Sequence, residues 1–247
     1  MKVICAGLPK TGTKSLAKAL RILGYTVYDY REHRDFHMDE WLDIYCQGKR
    51  PDFASMYKDA DAVTDIPPAM WFQEIYEAFP DAKVILSVRD NEEVWAPSMG
   101  KQLELLQTLG GRLQRVALLW LAPIAAPTYL LFHLKEKLFL DTNLTAFLGS
   151  LNWKSTVLFK KKYREHNHRV QAVIPKDKLL IYNVKQGWQP LCEFLGCDMP
   201  QQEFPRENVA CSISYITLSK KIQDFKRNAF VLLAFLVLLA SVFYLYL

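Results

Sequence analysis

Residues 1–20 read Met1-Lys-Val-Ile-Cys-Ala-Gly-Leu-Pro-Lys-Thr-Gly-Thr-Lys-Ser-Leu-Ala-Lys-Ala-Leu20. A short apolar run passes through a turn of small residues into a helical pattern. Residues 3–6 read as a buried strand and 7–13 as the loop, and Leu16, Ala19, Leu20 and Leu23 recur at helix spacing until Gly24 ends the pattern. This order of strand, loop and helix makes the loop a place for an anion. The first amides of a helix have no partner within it, and the helix dipole puts partial positive charge there.

Gly7 and Gly12 nearly fit the triphosphate-binding pattern G-x-x-x-x-G-K-[ST], but Thr13 stands where that pattern has lysine. Lys14 comes one position later, turned roughly 100° around the helix. Phosphate charge must then be met by another cation, and Lys10, which follows Pro9 inside the loop, is placed to do it. The run Pro9-Lys10-Thr11-Gly12-Thr13 resembles the P-K-[ST]-G-T loop of sulfotransferases that use 3'-phosphoadenosine-5'-phosphosulfate as donor. The resemblance implies that Lys10 contacts the oxygen bridging phosphate and sulfate, and that the residues after it bind the 5'-phosphate. Lys14 and Ser15 stand where the commonest form of the loop has threonine and an aromatic residue. With them the expected donor-binding set in the loop is Pro9, Lys10, Thr11, Gly12, Thr13, Lys14 and Ser15.

A second resemblance begins at residue 82. The run 82–88 is rich in β-branched residues, as a central parallel strand requires, and Arg89 and Asp90 leave its C-terminal end, where open α/β sheets bind ligands. Residues 92–101 read as the start of a helix carrying Trp95 and Ser98. In the sulfotransferases a strand ending in arginine and a serine on the next helix bind the donor's 3'-phosphate, which assigns that role to Arg89 and Ser98. A guanidinium suits the task because its planar fork gives two parallel hydrogen bonds and stays charged. Pairing of Arg89 with Asp90 or Glu92 at the surface is the alternative.

Between these elements, residues 61–68 form a strand-like run that meets a double proline, with Asp65 at the stop. Thr64-Asp65-Ile66-Pro67 resembles the T-H-L-P segment of cytosolic sulfotransferases, in which the histidine takes the acceptor's proton. Asp65 is accordingly the expected catalytic base beside Lys10. A branch of the family uses a glutamate after its second strand, and Glu32 lies in the comparable region as the reserve. A carboxylate can act as base when its surroundings raise its proton affinity. Either residue could instead cap a helix or pair with Arg31 or Arg34. His33 and His37 are four apart, but no third ligand is spaced to join them, so they read as solvated surface histidines and no metal is expected.

Toward the end of the chain, 163–170 reads as a polar helix, 178–184 as a strand, and 187–196 as a turn and short helix ending at glycine, followed by Phe204-Pro-Arg-Glu-Asn208. This order resembles the end of a sulfotransferase domain, and Lys185 and Arg206 are the basic residues nearest to its nucleotide-closing loop. The 247 residues are 51% apolar and 23% charged, enough for one α/β core. The expected fold is a three-layer α/β fold of the P-loop type, a parallel sheet with helices on both faces and the loops after Ala6, Thr64 and Val88 on one edge. Five cysteines without a C-x-x-C pair read as reduced, buried thiols. A net charge of +5 without a basic stripe interleaved with aromatics argues against nucleic acid as a partner.

Residues 229–247 contain no charge, glycine or proline, and nineteen such residues rise about 30 Å as a helix, the thickness of a bilayer core. Lys220, Lys221, Lys226 and Arg227 precede them, and positive flanks favour the cytosolic side. Residues 3–6 are too short for the apolar core of a signal peptide. The expected organisation is a domain at 1–215 with an apolar insert at 116–135, a basic juxtamembrane linker at 216–228 and a transmembrane tail anchor at 229–247, the domain lying in the cytosol. The insert reads as an acceptor pocket, a membrane contact or core packing.

The resemblance, taken with the apolar tail, implies a membrane-anchored, metal-free sulfotransferase whose partners are a bilayer and a small-molecule or lipid acceptor. Two other classes fit the same residues. One is a phosphotransferase or hydrolase of nucleoside triphosphates with Asp65 or Asp90 on magnesium. The other is a non-catalytic membrane adaptor that keeps the fold.

Overall fold

Alternating side chains along the first strand divide the core between two faces of a sheet. In the computed structural model, which describes residues 1–107, 135, 138, 139, 142, 143 and 155–207, that strand is β1 (Val3–Cys5). Four more follow: β2 (Val27–Tyr28), β3 (Ala62–Val63), β4 (Lys83–Ser87) and β5 (Leu179–Tyr182). They lie in the order β2-β3-β1-β4-β5, all parallel, with Ile4 opposite Val63 on one side and Val84 on the other. Parallel neighbours force the chain back through crossovers, so every strand opens its C-terminal end on the same edge.

The α-helices with described bounds are α1 (Thr13–Ile22), α2 (Tyr30–Gln47), α3 (Phe53–Met56), α4 (Phe72–Ala78), α5 (Glu92–Gln107), α6 (Thr156–Val173) and α7 (Trp188–Leu195). Val3 and Cys5 pack with Leu16 and Leu20 of α1 and Leu191 of α7 on one face of the sheet. Ile4 and Ala6 pack with Trp41 of α2, Ile75 of α4 and Val170 of α6 on the other. This is the three-layer α/β arrangement read from the sequence. The strands are shorter than the apolar runs that announce them, because the last residues of each run leave the ladder to build the loops.

The sequence patterns did not mark α2. Its apolar positions are few, and its boundaries are set by local chemistry. Asp29 and Glu32 form a capping box at its start, and Gly48 at φ 67° ends it. His33, read as a surface residue, is fully buried here, because α2 lays that face against Tyr28 and Tyr57. His37, at a kink in α2, is partly covered and faces Glu40. The four described cysteines are free, and Cys46 is exposed rather than buried because it lies near the solvent end of α2.

The chain divides into two compact units, Met1–Lys101 with Lys135–Val209, and Gln102–Leu134 with Ala210–Leu247. The first holds the sheet. Of the second, only residues 102–107 are described. Apart from Lys135, the apolar insert at 116–135 lies outside the described residues, as do the linker at 216–228 and the apolar run at 229–247. Among the described residues no helix is long and apolar enough to cross a membrane.

Candidate functional site

The loop between β1 and α1 crosses the C-terminal edge of the sheet under tight constraint. Gly7 passes so close to β4 that a Cβ there would lie 1.9 Å from Ser87 Oγ and 2.7 Å from the Ser87 carbonyl oxygen. Thr11, fully buried, donates its hydroxyl proton to the Leu8 carbonyl at 2.6 Å, so Ser87 Oγ, 2.7 Å away, must donate to Thr11. Lys10 has φ 70° and Gly12 has φ 101°, and a Cβ on Gly12 would meet both methyls of Val184 at 2.7 Å. Gly12 is the N-cap of α1 and supplies no side-chain cap, which leaves the first turn of that helix to be satisfied by something else.

Arg89 arrives at the same place from the end of β4. Its Nε donates to the Lys10 carbonyl at 2.8 Å, and its backbone amide donates to Tyr163 Oη at 2.9 Å. Arg89 is thereby tied to the backbone of the loop at Lys10, seventy-nine positions earlier in the sequence. Trp95 of α5 donates from Nε1 to the Pro9 carbonyl at 2.8 Å and stacks on Tyr163 with ring centroids 4.8 Å apart. Ser98 follows Trp95 by three residues, which puts it one turn along the helix face that grips the loop. Tyr163 and His166, three apart on α6, hold the strand ends from beneath, His166 donating from Nε2 to the Ala6 carbonyl at 2.7 Å. Burial pulls the His166 pKa down, in keeping with a neutral ring.

Lys14 and Ser15 turn elsewhere. Lys14 Nζ donates to Asp29 Oδ2 at 2.7 Å and lies 3.2 Å from Asp65 Oδ2, and Ser15 Oγ accepts the Glu207 amide at 2.9 Å. Burial works against the Lys14 ammonium, but Asp65 and Asp29 outweigh it and raise its pKa. Burial pushes the Asp29 carboxyl up, Lys14 opposes that and Asp65 adds to it. Asp65 is buried with φ 67°; it accepts the Ile66 amide at 2.9 Å and the Thr13 hydroxyl at 3.4 Å. Lys10 and Asp65 are the two non-glycine residues with positive φ among those described. Such backbone costs on the order of 1–3 kcal/mol and gathers at functional sites.

Glu32 uses one oxygen to accept the Asp29 amide at 3.0 Å and the other to pair with Arg21 at 2.9 Å, so it serves as a helix cap. Lys185 pairs with Asp90, which also accepts from Asn183 at 2.7 Å, and these bonds tie the ends of β4 and β5 together. Both partners hold Asp90 below the usual carboxylate range. Arg206 is exposed, whereas its neighbour Glu207 reaches Lys18 at 2.5 Å. Among the described residues no group of three or more His, Cys, Asp or Glu converges to hold a metal ion.

His33 fixes the end of β3 by donating from Nε2 to the Thr64 carbonyl at 3.2 Å, and its Nδ1 meets no partner among the described residues. Burial lowers its pKa from 6.5 to about 3, so the folded state keeps it neutral while the unfolded chain protonates it. Its contribution to stability is present above pH 6.5 and is lost as pH falls through 6.5 toward 3. The expected loss between neutrality and about pH 5 is about 2 kcal/mol, measured as a shift in urea midpoint. His33→Gln should flatten that slope, and an unchanged slope would remove His33 as its source.

The sequence signals for the supporting residues were present but indirect. Asp29 and Glu32 carry the spacing of a capping box, and Tyr163 and His166 that of one helix face. Nothing in the spacing announced that Lys14 would face Asp29.

The model of the family described as "Sulfotransferase domain" matches residues 2–213. A relative from Aspergillus versicolor, "Ava biosynthesis cluster protein M", is 33% identical over 219 residues, covering 83% of this chain and 80% of the relative.

Proposed function

The chain belongs to the sulfotransferase domain family, and on that premise we propose that it transfers a sulfuryl group from 3'-phosphoadenosine-5'-phosphosulfate to a hydroxyl or amine acceptor. The observation that carries this reading is the Arg89 bond to the Lys10 carbonyl beside a helix start with no side-chain cap. Two cations and a first turn of amides suit an anion with phosphate at both ends of a nucleoside. In this reading Lys10, Thr11, Gly12 and Thr13 hold the 5'-phosphosulfate, and Arg89 and Ser98 hold the 3'-phosphate.

The chemistry forms a bond from acceptor oxygen or nitrogen to sulfur and breaks the bond from sulfur to the phosphate oxygen. Asp65 takes the acceptor's proton. It is preferred to Glu32 because it lies against Thr13 of the loop, whereas both Glu32 oxygens cap α2 and bind Arg21. Lys10 offsets charge on the departing phosphate oxygen, which is electrostatic stabilisation of the transition state. A relative named for a biosynthesis cluster is in keeping with a small-molecule acceptor. The uncharged run at 229–247 with its basic flank supports attachment to a bilayer, which would bring lipid acceptors within reach.

The test combines calorimetric titration of the full chain with 3'-phosphoadenosine-5'-phosphate and transfer of labelled sulfate to a membrane lipid extract and a panel of phenols, alcohols and amines. Micromolar binding with transfer to at least one acceptor is expected. Binding without transfer to anything would favour the adaptor, and no binding at all would end the donor assignment.

A further inference from the structure

We propose that the Lys14 ammonium is a built-in cation, seated between Asp29 and Asp65 where a triphosphate-binding loop keeps its divalent metal, and that it restricts the loop to anions that arrive without metal. The proposal rests on the donor reading only for the identity of that anion. In loops of the G-x-x-x-x-G-K-[ST] kind, the hydroxyl residue closing the motif and an aspartate at the end of a neighbouring strand hold magnesium. Counted from Gly7 and Gly12, the closing position is Lys14 here. The aspartate is Asp65, two residues beyond the end of β3, which pairs directly beside β1. Asp29 follows β2, the next strand outward.

The distances define a single cation position. Nζ of Lys14 is 2.7 Å from Asp29 Oδ2 and 3.2 Å from Asp65 Oδ2, and Thr13 Oγ1 stands 3.4 Å from the same Asp65 oxygen. Asp29 and Asp65 are 6% and 7% exposed, so their charge is hidden from water and must be met from within. The ammonium meets it, and because it carries three donors and no lone pair it cannot also ligate a metal. A magnesium complex of a triphosphate would bring its ion to a place already holding positive charge. A phosphosulfate anion needs no such ion, so in this chain the amine disfavours the metal-bound donor and leaves the metal-free one unaffected.

Without the amine, two buried carboxylates face each other and must either take up a proton or bind another cation. Lys14→Ser would restore the hydroxyl of the triphosphate pattern and leave Asp29, Asp65 and Thr13 as oxygen ligands, the donor type that manganese and magnesium prefer. The experiment uses the full chain and Mn2+ alone as probe. Lys14→Ser is refolded with and without Mn2+ beside the unaltered chain and Lys14→Ser/Asp65→Asn. A recovered fold, or a melting temperature raised by roughly 5–10 °C at saturating Mn2+, is expected in Lys14→Ser only. A Lys14→Ser chain that gains nothing from Mn2+, whether folded or not, overturns the proposal. So does an unaltered chain that gains as much.

A second arm titrates the unaltered chain with 3'-phosphoadenosine-5'-phosphate in chelator and in magnesium. Equal affinity is expected, and binding that requires magnesium overturns the built-in cation. Failure to bind in either buffer would reject the donor reading and leave the manganese result to decide on Lys14.

Discussion

Arg89→Ala is expected to weaken binding of 3'-phosphoadenosine-5'-phosphate by about 100-fold to 1,000-fold, the cost of removing one side of a part-buried, charge-assisted contact. Two losses coincide in this variant. The 3'-phosphate loses its guanidinium, and the Lys10 carbonyl loses the 2.8 Å bond that steadies the loop. Arg89→Lys should recover little, because an ammonium cannot bind phosphate through two parallel bonds while also reaching the carbonyl. Lys10→Ala is expected to behave differently. Its carbonyl and the loop path persist, so product affinity should fall by about tenfold while the transfer rate falls by about 100-fold to 1,000-fold, as for removal of one transition-state donor. Calorimetry and single-turnover transfer separate the two. Wild-type affinity in Arg89→Ala would detach that residue from the donor.

Gly7→Ala is expected to cost about 3 kcal/mol of stability or more, because an added Cβ meets its neighbours more closely here than at any other described glycine. The added carbon would lie 1.9 Å from Ser87 Oγ, 2.7 Å from the Ser87 oxygen and 2.8 Å from its nitrogen. The hydroxyl can be removed, but the backbone of a central strand cannot move without breaking its pairing with β1 and β5. Gly7→Ala/Ser87→Gly should therefore regain only part of the loss, and Ser87→Ala alone should cost about 1 kcal/mol for the bond to Thr11. Urea midpoints give all three values. A Gly7→Ala chain within about 0.5 kcal/mol of wild type would mean that the loop passes β4 at a greater distance than 1.9 Å contact implies.

The parts of this molecule that were legible in its sequence are those governed by local pattern. The runs before Gly7 and Arg89 are apolar on both faces because the strands are central, and that composition announced a parallel sheet. The loop was legible because glycine, proline and threonine spacing is dictated by the backbone path around an anion. Long-range charge placement was not. Lys14 reads as a loop cation until Asp29 and Asp65, fifteen and fifty-one positions away, are brought to it by β2 and β3. His33 reads as a surface residue because α2 has too few apolar positions to show which side is inward, and its burial follows from contact with Tyr57 of a later turn. Glu32 reads as base or cap, and only the fold shows both of its oxygens engaged.

Lys10 is held at φ 70°, a conformation in which glycine or asparagine would sit at less expense to the fold. Selection for folding alone would erode lysine at this site, and the drift would end most easily in glycine. The identity of the tenth residue thus becomes a marker across related genes. A relative with glycine at this position is expected to fold at least as well and to lose the transfer proposed for this site.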